Sequence, residues 1–269
     1  FENEQHTVSD GTEILTRQEA DTRNNMMFGR YSLGLDYDIN KYNWISTSVQ
    51  YGLFNFKNRQ DNLFTQTFED EALRDSNLRR VSMDNLSGTV DLSLTYLRTT
   101  EKQGQEFSLM ALYSRNNRTN DFINAIDDQN NSTAIDRFKN ENKSYNQEIT
   151  VQADYVTPIG DKQILEFGAK EIIRNVSSDY QYFFAFGADD PFVPVTDEAL
   201  SNVFNYNQNV TAGYLSYTLN LNNYSIKPGV RYEYTIIQAN FQDEQEVDIP
   251  SYGVLVPSLN LSRKLKSGD

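Results

Sequence analysis

Tyr31-Ser32-Leu33-Gly34-Leu35-Asp36-Tyr37-Asp38-Ile39 alternates without a break. Successive side chains of an extended chain point to opposite faces, so Tyr31, Leu33, Leu35, Tyr37 and Ile39 share one side, and Ser32, Gly34, Asp36 and Asp38 share the other. The stretch predicts a strand with one apolar and one wet face. The same period continues through Ile45, Thr47, Val49, Tyr51 and Leu53, set against Ser46, Ser48, Gln50 and Gly52. It returns in Leu86, Val90, Leu92, Leu94 and Tyr96, set against Ser87, Thr89, Asp91, Ser93 and Thr95. Fainter copies run through Phe107, Leu109, Ala111 and Tyr113, and through Ile149, Val151, Ala153 and Tyr155. Others run through Leu165, Phe167 and Ala169, then Leu215, Tyr217 and Leu219, then Val230, Tyr232 and Tyr234, and finally Leu255, Pro257, Leu259 and Leu261. With a weakly marked first strand around residues 7–16, this predicts about ten strands and little helix, since helical spacing never persists over three turns.

The connections alternate in length. Short polar turns fall at residues 40–43, 100–105, 158–162, 220–223 and 266–269, and long polar segments at 57–80, 115–143, 187–202 and 242–249. Tight turns at one end and long loops at the other describe an up-and-down meander, with the long loops on the outside of a membrane barrel. Runs such as 82–99 and 203–219 exceed the usual strand of about 5–6 residues and suit strands that cross a bilayer and project beyond it. Tyr37, Tyr96, Tyr113, Tyr155 and Tyr232 lie near strand ends, where an interfacial girdle would sit.

Composition removes other classes. The chain has 269 residues, 24 Lys+Arg against 38 Asp+Glu, a net charge of −14, no cysteine and one histidine. Its mean hydropathy of −0.65 is polar, but 17 Tyr and 16 Phe are too many rings for a disordered chain. Without cysteine there is no disulfide framework, thiolate zinc site, iron–sulfur cluster or cysteine nucleophile. With His6 alone, neither a serine triad nor a multi-histidine metal site is expected. The acidic balance and the lack of a basic run argue against nucleic acid as a partner. No apolar run reaches the length of a spanning helix, and the start Phe1-Glu2-Asn3-Glu4-Gln5 is unlike a signal peptide, so a processed protein or a fragment is expected.

Tyr224-Ser225-Ile226-Lys227-Pro228-Gly229-Val230-Arg231-Tyr232-Glu233-Tyr234-Thr235 resembles the Gly-x-Arg-x-Glu strand of TonB-dependent receptors, an outer-membrane β-barrel family. Val256-Pro257-Ser258-Leu259-Asn260-Leu261-Ser262 resembles the Pro-Ser-Leu-Asn strand that follows one long loop later in those barrels. Gln152-Ala153-Asp154-Tyr155-Val156-Thr157-Pro158 and Leu165-Glu166-Phe167-Gly168-Ala169-Lys170 resemble the preceding hairpin. The resemblance implies a 22-stranded barrel closed by an N-terminal plug, importing bulky nutrients or metal chelates across a Gram-negative outer membrane with energy delivered by TonB. No TonB-box-like leader, plug-like domain or terminal aromatic strand is visible, and the chain stops at Lys266-Ser267-Gly268-Asp269. Residues 1–269 are therefore expected to be an internal, partial barrel domain without enzymatic activity or cofactor. Its expected partners are outer-membrane lipid, TonB acting through a plug absent from this chain, and a surface lipoprotein or larger membrane complex. The alternatives are a non-transporting outer-membrane scaffold or secretion component, a small closed barrel or porin, and a soluble carbohydrate-binding or adhesion module.

If the apolar faces meet lipid, Asp36, Asp91, Gln152, Asp154, Lys227, Arg231 and Glu233 line the interior, with Arg231 and Glu233 placed to pair within the wall. Tyr180, Tyr182, Phe184, Phe186, Asp189 and Asp190 gather rings and carboxylates near a long loop and are candidates for ligand contact at the outer mouth. No metal is predicted: Asp127-Asp128 and Asp189-Asp190 supply too few oxygens for calcium and have no EF-hand spacing. The Asn-x-Ser/Thr sequences at Asn130 and Asn209 reflect asparagine abundance. Glu171 shares parity with Leu165, Phe167 and Ala169, which requires either a place above the hydrocarbon or a bulge that changes its face.

Overall fold

The computed structural model describes residues 1–9, 12–128, 135–187, 189–196, 200–241, 246–247 and 249–265. They form one antiparallel sheet of 13 strands and, among the described residues, no helix. In chain order these are β1 (Glu2–Ser9), β2 (Thr12–Glu19), β3 (Thr22–Asn40), β4 (Asn43–Glu69), β5 (Ala72–Thr99), β6 (Glu106–Asp128), β7 (Ile135–Ile159), β8 (Gln163–Phe186), β9 (Val193–Pro194), β10 (Asn202–Leu221), β11 (Tyr224–Phe241), β12 (Glu246–Val247) and β13 (Tyr252–Arg263). From β3 to β13 each long strand pairs with the next long strand in the chain, which is the expected meander. The sheet is open, because β3 pairs only with β4 and β13 only with β11.

The four turns at 40–43, 100–105, 158–162 and 220–223 all fall at one end of the sheet, as expected; the fifth, at 266–269, lies outside the described residues. The opposite end corrects the sequence reading twice. Residues 57–80 are not a loop: β4 and β5 continue through them as a hairpin of 27 and 28 residues, closed at Asp70 and Glu71 with φ of 45° and 68°. Residues 115–143 likewise continue β6 and β7 up to residues 129–134, which lie outside the described residues together with Asn130. Both faces turn polar once the strands leave the apolar band, so polarity imitates a loop while the backbone ladder continues. The weak first strand at 7–16 is the β1–β2 hairpin, and β2 and β3 follow one another along the same flank of β4 with a break at Ala20-Asp21. The 187–202 connection contains β9 folded back on Phe183 and Phe184. Residues 242–249 are described only at 246–247 and 249.

Register carries the apolar faces into one continuous band. A single row across nine strands reads Tyr37, Ile45, Tyr96, Leu109, Ala153, Ala169, Gly213, Tyr232 and Leu255. On β3 the band runs from Tyr31 to Ile39, close to the 9–11 residues a tilted strand needs to cross hydrocarbon. Tyr37, Tyr96, Tyr113, Tyr155 and Tyr232 all lie on this face; Tyr232 is mid-band and lies over Gly253, where a Cβ would come within 2.3 Å of its hydroxyl.

Burial is inverted relative to a water-soluble protein. Along β10 and β11 the apolar-face residues are exposed, whereas the opposite face is half-buried, with Ala212 and Ala239 only 3% and 5% exposed. The sheet therefore curls with its polar face concave and its apolar face convex. Leu33 at 73%, Leu261 at 69% and Leu259 at 63% exposure have no protein covering them. Each such side chain forfeits about 1.5–3 kcal/mol if left in water, and soluble monomers rarely expose apolar patches beyond a few hundred Å². Hydrocarbon is the solvent that suits this face.

Glu171 lies on the convex face without any bulge: it pairs in register with Val151 and Thr211, and β8 shows no shift against β7 or β10. The row above it holds Ile149, Ile173, Asn209 and Ile236, and the next holds Gln147, Asn175, Asn207 and Gln238. The carboxylate thus sits one row beneath the upper rim of the band and accepts a 2.5 Å hydrogen bond from the Thr211 hydroxyl.

Candidate functional site

The concave face is polar because a strand that places apolar residues outward must place the intervening ones inward. Asp36, Asp91, Gln152, Asp154, Lys227, Arg231 and Glu233 all share it. Gln152, Asp154, Arg231 and Glu233 form one cluster. Gln152 Nε2 donates to Asp154 Oδ2 at 2.9 Å and to the Tyr214 hydroxyl at 3.1 Å, and that hydroxyl donates to Asp154 Oδ1. The Arg231 guanidinium lies 5.5 Å from the Tyr214 ring centroid and pairs with Glu233.

Gly168 makes this possible. A Cβ there would stand 2.5 Å from the Tyr214 hydroxyl and 2.7 Å from the Ala153 carbonyl oxygen, so the phenol needs the bare backbone beneath it.

Two more stations flank the cluster. Lys227 pairs with Glu166, which also accepts from Ser216 Oγ at 2.8 Å. Arg174 grips Glu148 through Nε at 3.0 Å and Nη2 at 2.5 Å, and donates from Nη1 to Gln208 at 3.2 Å. Asp91 accepts from Ser114 Oγ at 2.6 Å, and Asp36, on the edge strand β3, is exposed and stands apart from the cluster. Tyr214, Glu166, Glu148 and Arg174 escaped the sequence reading, since only the register of successive strands reveals a partner 26 to 62 positions away.

Tyr180, Tyr182, Phe184 and Phe186 occupy the upper concave face of β8. Phe138 of β7 joins them, 6.1 Å from Tyr182 and 5.0 Å from Phe184 between ring centroids, and Phe184 meets Phe186 edge-on at 4.3 Å. Burial pushes the Tyr182 phenol above its ordinary pKa, and Tyr180 adds to the shift. Phe204, Tyr206 and Phe241 extend the aromatic surface on β10 and β11. Asp189 and Asp190 are exposed in the turn beyond β8, and no contact among the described residues brings them to the rings. Arg137, on the convex side of β7, holds that turn by donating to the Gly187 carbonyl at 2.9 Å and to the Asp190 carbonyl, with its guanidinium 4.9 Å from the Phe192 ring. Among the described residues no cluster of three or more His, Asp or Glu could hold a metal ion.

Residues 98–269 match the outer membrane protein beta-barrel family. The chain belongs to that family. Its convex apolar band therefore faces the hydrocarbon of the outer membrane, and its fold is that of an antiparallel membrane β-barrel wall. Comparison with curated protein sequences finds no match. Among solved structures the family fold is similar to the ferric citrate transporter FecA in its unliganded form, at 13% identity and a TM-score of 0.46. That alignment covers 99% of this chain and 42% of the FecA chain, so the chain spans less than half of that structure's length.

Proposed function

We propose that this chain is part of the barrel wall of a TonB-dependent receptor in a Gram-negative outer membrane, importing a bulky solute without catalysing a reaction. The observation that carries the reading is the concave face. Three ion-paired stations built on Glu166, Arg174 and Arg231 offer fixed charges to a plug or a passing solute, with an aromatic mouth above them. The remaining strands of a 22-stranded barrel would continue from the free edges of β3 and β13, and the plug would rest against the polar face. TonB would act through that plug.

The test is binding of the purified periplasmic domain of TonB to the full-length protein in detergent micelles. Saturable binding supports the import reading, and its absence refutes it. A second reading, a barrel that anchors a surface lipoprotein or a larger membrane complex, is favoured by one observation. Glu171 sets a carboxylate in the lipid-facing band, where ionisable side chains mark partners more often than bare lipid contact.

A further inference from the structure

The short-turn end of the sheet reverses the charge of the chain. Residues 40–43, 98–105, 158–163, 220–224 and 263–264 hold Lys41, Arg98, Lys102, Lys162, Arg263 and Lys264 against Glu101 and Asp161, in a chain of net charge −14. All of these cations are exposed, and among the described residues none pairs with a carboxylate. The ion pairs found lie instead on the concave face or on the part of the sheet that projects beyond the upper rim of the band. Two of the turn-end cations rest on tyrosines: Lys41 Nζ is 4.5 Å from the Tyr42 ring centroid, and the Arg263 guanidinium is 5.3 Å from that of Tyr224. Glu101 accepts from the Tyr42 hydroxyl at 3.0 Å, so a phenol occupies that carboxylate and the lysines beside it stay free of it.

These cations follow the lower edge of the apolar band. Arg98 is the first convex side chain after Tyr96 on β5, and Arg263 is the first after Leu261 on β13. The row through Arg98 continues as Phe107, Tyr155, Phe167, Leu215, Val230 and Pro257, so Arg263 lies six residues further along its strand. Six residues at about 3.3 Å, taken over six strand spacings of about 4.8 Å, make a slope of about 35°. Strands of membrane barrels tilt by about 35–45°, so that slope brings Arg98 and Arg263 to one depth in the bilayer. The turns that carry Lys41, Lys102 and Lys162 close just beyond the same edge.

Exposed cations at the edge of a hydrocarbon layer meet the phosphates of lipid headgroups, and each is attracted to an anionic surface. Outer-membrane barrels keep their short turns on the periplasmic side, where the leaflet is phospholipid. A zwitterionic headgroup brings its own cation and cancels much of the attraction, whereas an anionic one does not. We propose that the turn-end rim from Lys41 to Arg263 is a docking collar for anionic phospholipid. The forked guanidinium groups of Arg98 and Arg263 receive the phosphate, the turn lysines supply further positive charge, and the acyl chains lie along the convex band. The inference goes beyond the import reading and does not depend on it, since a barrel that anchors a complex would carry the same collar.

The experiment uses the full-length protein in phosphatidylcholine vesicles containing a trace of spin-labelled lipid, whose spectrum separates acyl chains slowed by the protein from free ones. A basic residue near an anionic surface is worth about a fivefold preference, diluted here by the neutral remainder of the circumference. Spin-labelled phosphatidylglycerol should therefore be enriched at the protein about twofold over spin-labelled phosphatidylcholine. Arg98→Gln combined with Arg263→Gln should remove at least half of that excess, and Arg98→Lys combined with Arg263→Lys should keep it. Lys41→Gln with Lys102→Gln, confined to the turns, repeats the test without altering a strand. Lys143→Gln, at the opposite rim with Asp179 directly across from it, should leave the ratio unchanged. Heat-modifiable migration in SDS gels confirms that each variant is folded.

The inference is overturned if the two labelled lipids are slowed equally, if the folded glutamine variants keep the parent's ratio, or if Lys143→Gln lowers it as much as they do. TonB binding separates this inference from the import reading. A protein that binds TonB without preferring phosphatidylglycerol would keep import and lose the collar. A protein that ignores TonB, yet loses its lipid preference with Arg98 and Arg263, would do the reverse.

Discussion

Gly168→Ala tests the packing of the concave wall with a single methyl group. The added Cβ would lie 2.5 Å from the Tyr214 hydroxyl, 2.6 Å from its Cζ and 2.7 Å from the Ala153 carbonyl oxygen. The carbonyl belongs to the β7–β8 ladder and cannot retreat, so Tyr214 must swing away. Asp154 then loses the phenol, and Gln152 loses one of its two acceptors. A hydrogen bond to a charged group contributes about 1.5–3 kcal/mol, and overpacking adds about 1–3 kcal/mol. The expected destabilisation is therefore about 3–5 kcal/mol. Gly213→Ala is the control: it changes the same residue type one strand away, but its Cβ would face open space on the convex side with nothing within 4 Å. Replacing a strand glycine there is expected to be neutral or to stabilise by about 0.5–1 kcal/mol. Urea unfolding of the full-length protein in phosphatidylcholine vesicles, followed by circular dichroism, measures both. Equal effects for the two variants, or a Gly168→Ala protein as stable as the parent, would refute the assignment of Tyr214 and Gly168 to one packed face.

Other substitutions probe the convex face and the projecting hairpins. Leu94→Arg puts a charge into the apolar band and should cost about 2–4 kcal/mol in the same unfolding assay, while Ser93→Arg, one residue away on the concave face, should cost less than half as much. Glu171→Gln keeps an acceptor for Thr211 and removes the charge beneath the band's rim, so it should stabilise the protein in vesicles by about 1 kcal/mol; a loss of stability would show that the carboxylate is held by a partner or an ion. Hydrogen exchange should find the amides of residues 57–60, 63–68 and 75–80 protected by the β4–β5 ladder, with fast exchange confined to the tip at Asp70 and Glu71 and to the register shifts at Asp61, Asn62 and Arg74. Uniformly fast exchange across 57–80 would restore the loop reading.

The period of two was enough to read both faces, because a one-residue shift in parity exchanges every side chain. The stretch from Tyr31 to Ile39 showed its lipid face directly, and Arg231 and Glu233 could be paired because they are two apart on one strand. Contacts between strands were a different matter. Glu166 meets Lys227 only after two turn lengths and two registers have been set, and none of these is written in the local pattern. The hairpin at 57–80 was hidden for a solvent reason: above the band both faces meet water, so the apolar alternation that marks a strand fades while its backbone hydrogen bonds persist. Glu171 left two readings open in the sequence and neither holds: the uninterrupted β7–β8–β10 register removes the bulge, and the row of Ile149, Ile173 and Ile236 above it keeps the carboxylate within the band.

Spin labels scanned along β5 from residue 88 to residue 97 test the central claim most directly. The chain has no cysteine, so within it each single-cysteine variant offers one site for the label. In the full-length protein reconstituted in vesicles, labels at 90, 92, 94 and 96 should be relaxed by oxygen, which concentrates in hydrocarbon. Labels at 89, 91, 93 and 95 should respond instead to a water-soluble nickel chelate, giving two accessibility profiles of period two in opposite phase. Profiles in phase with each other, or nickel access at Leu92 and Leu94 equal to that at Asp91 and Ser93, would contradict a convex face that meets lipid.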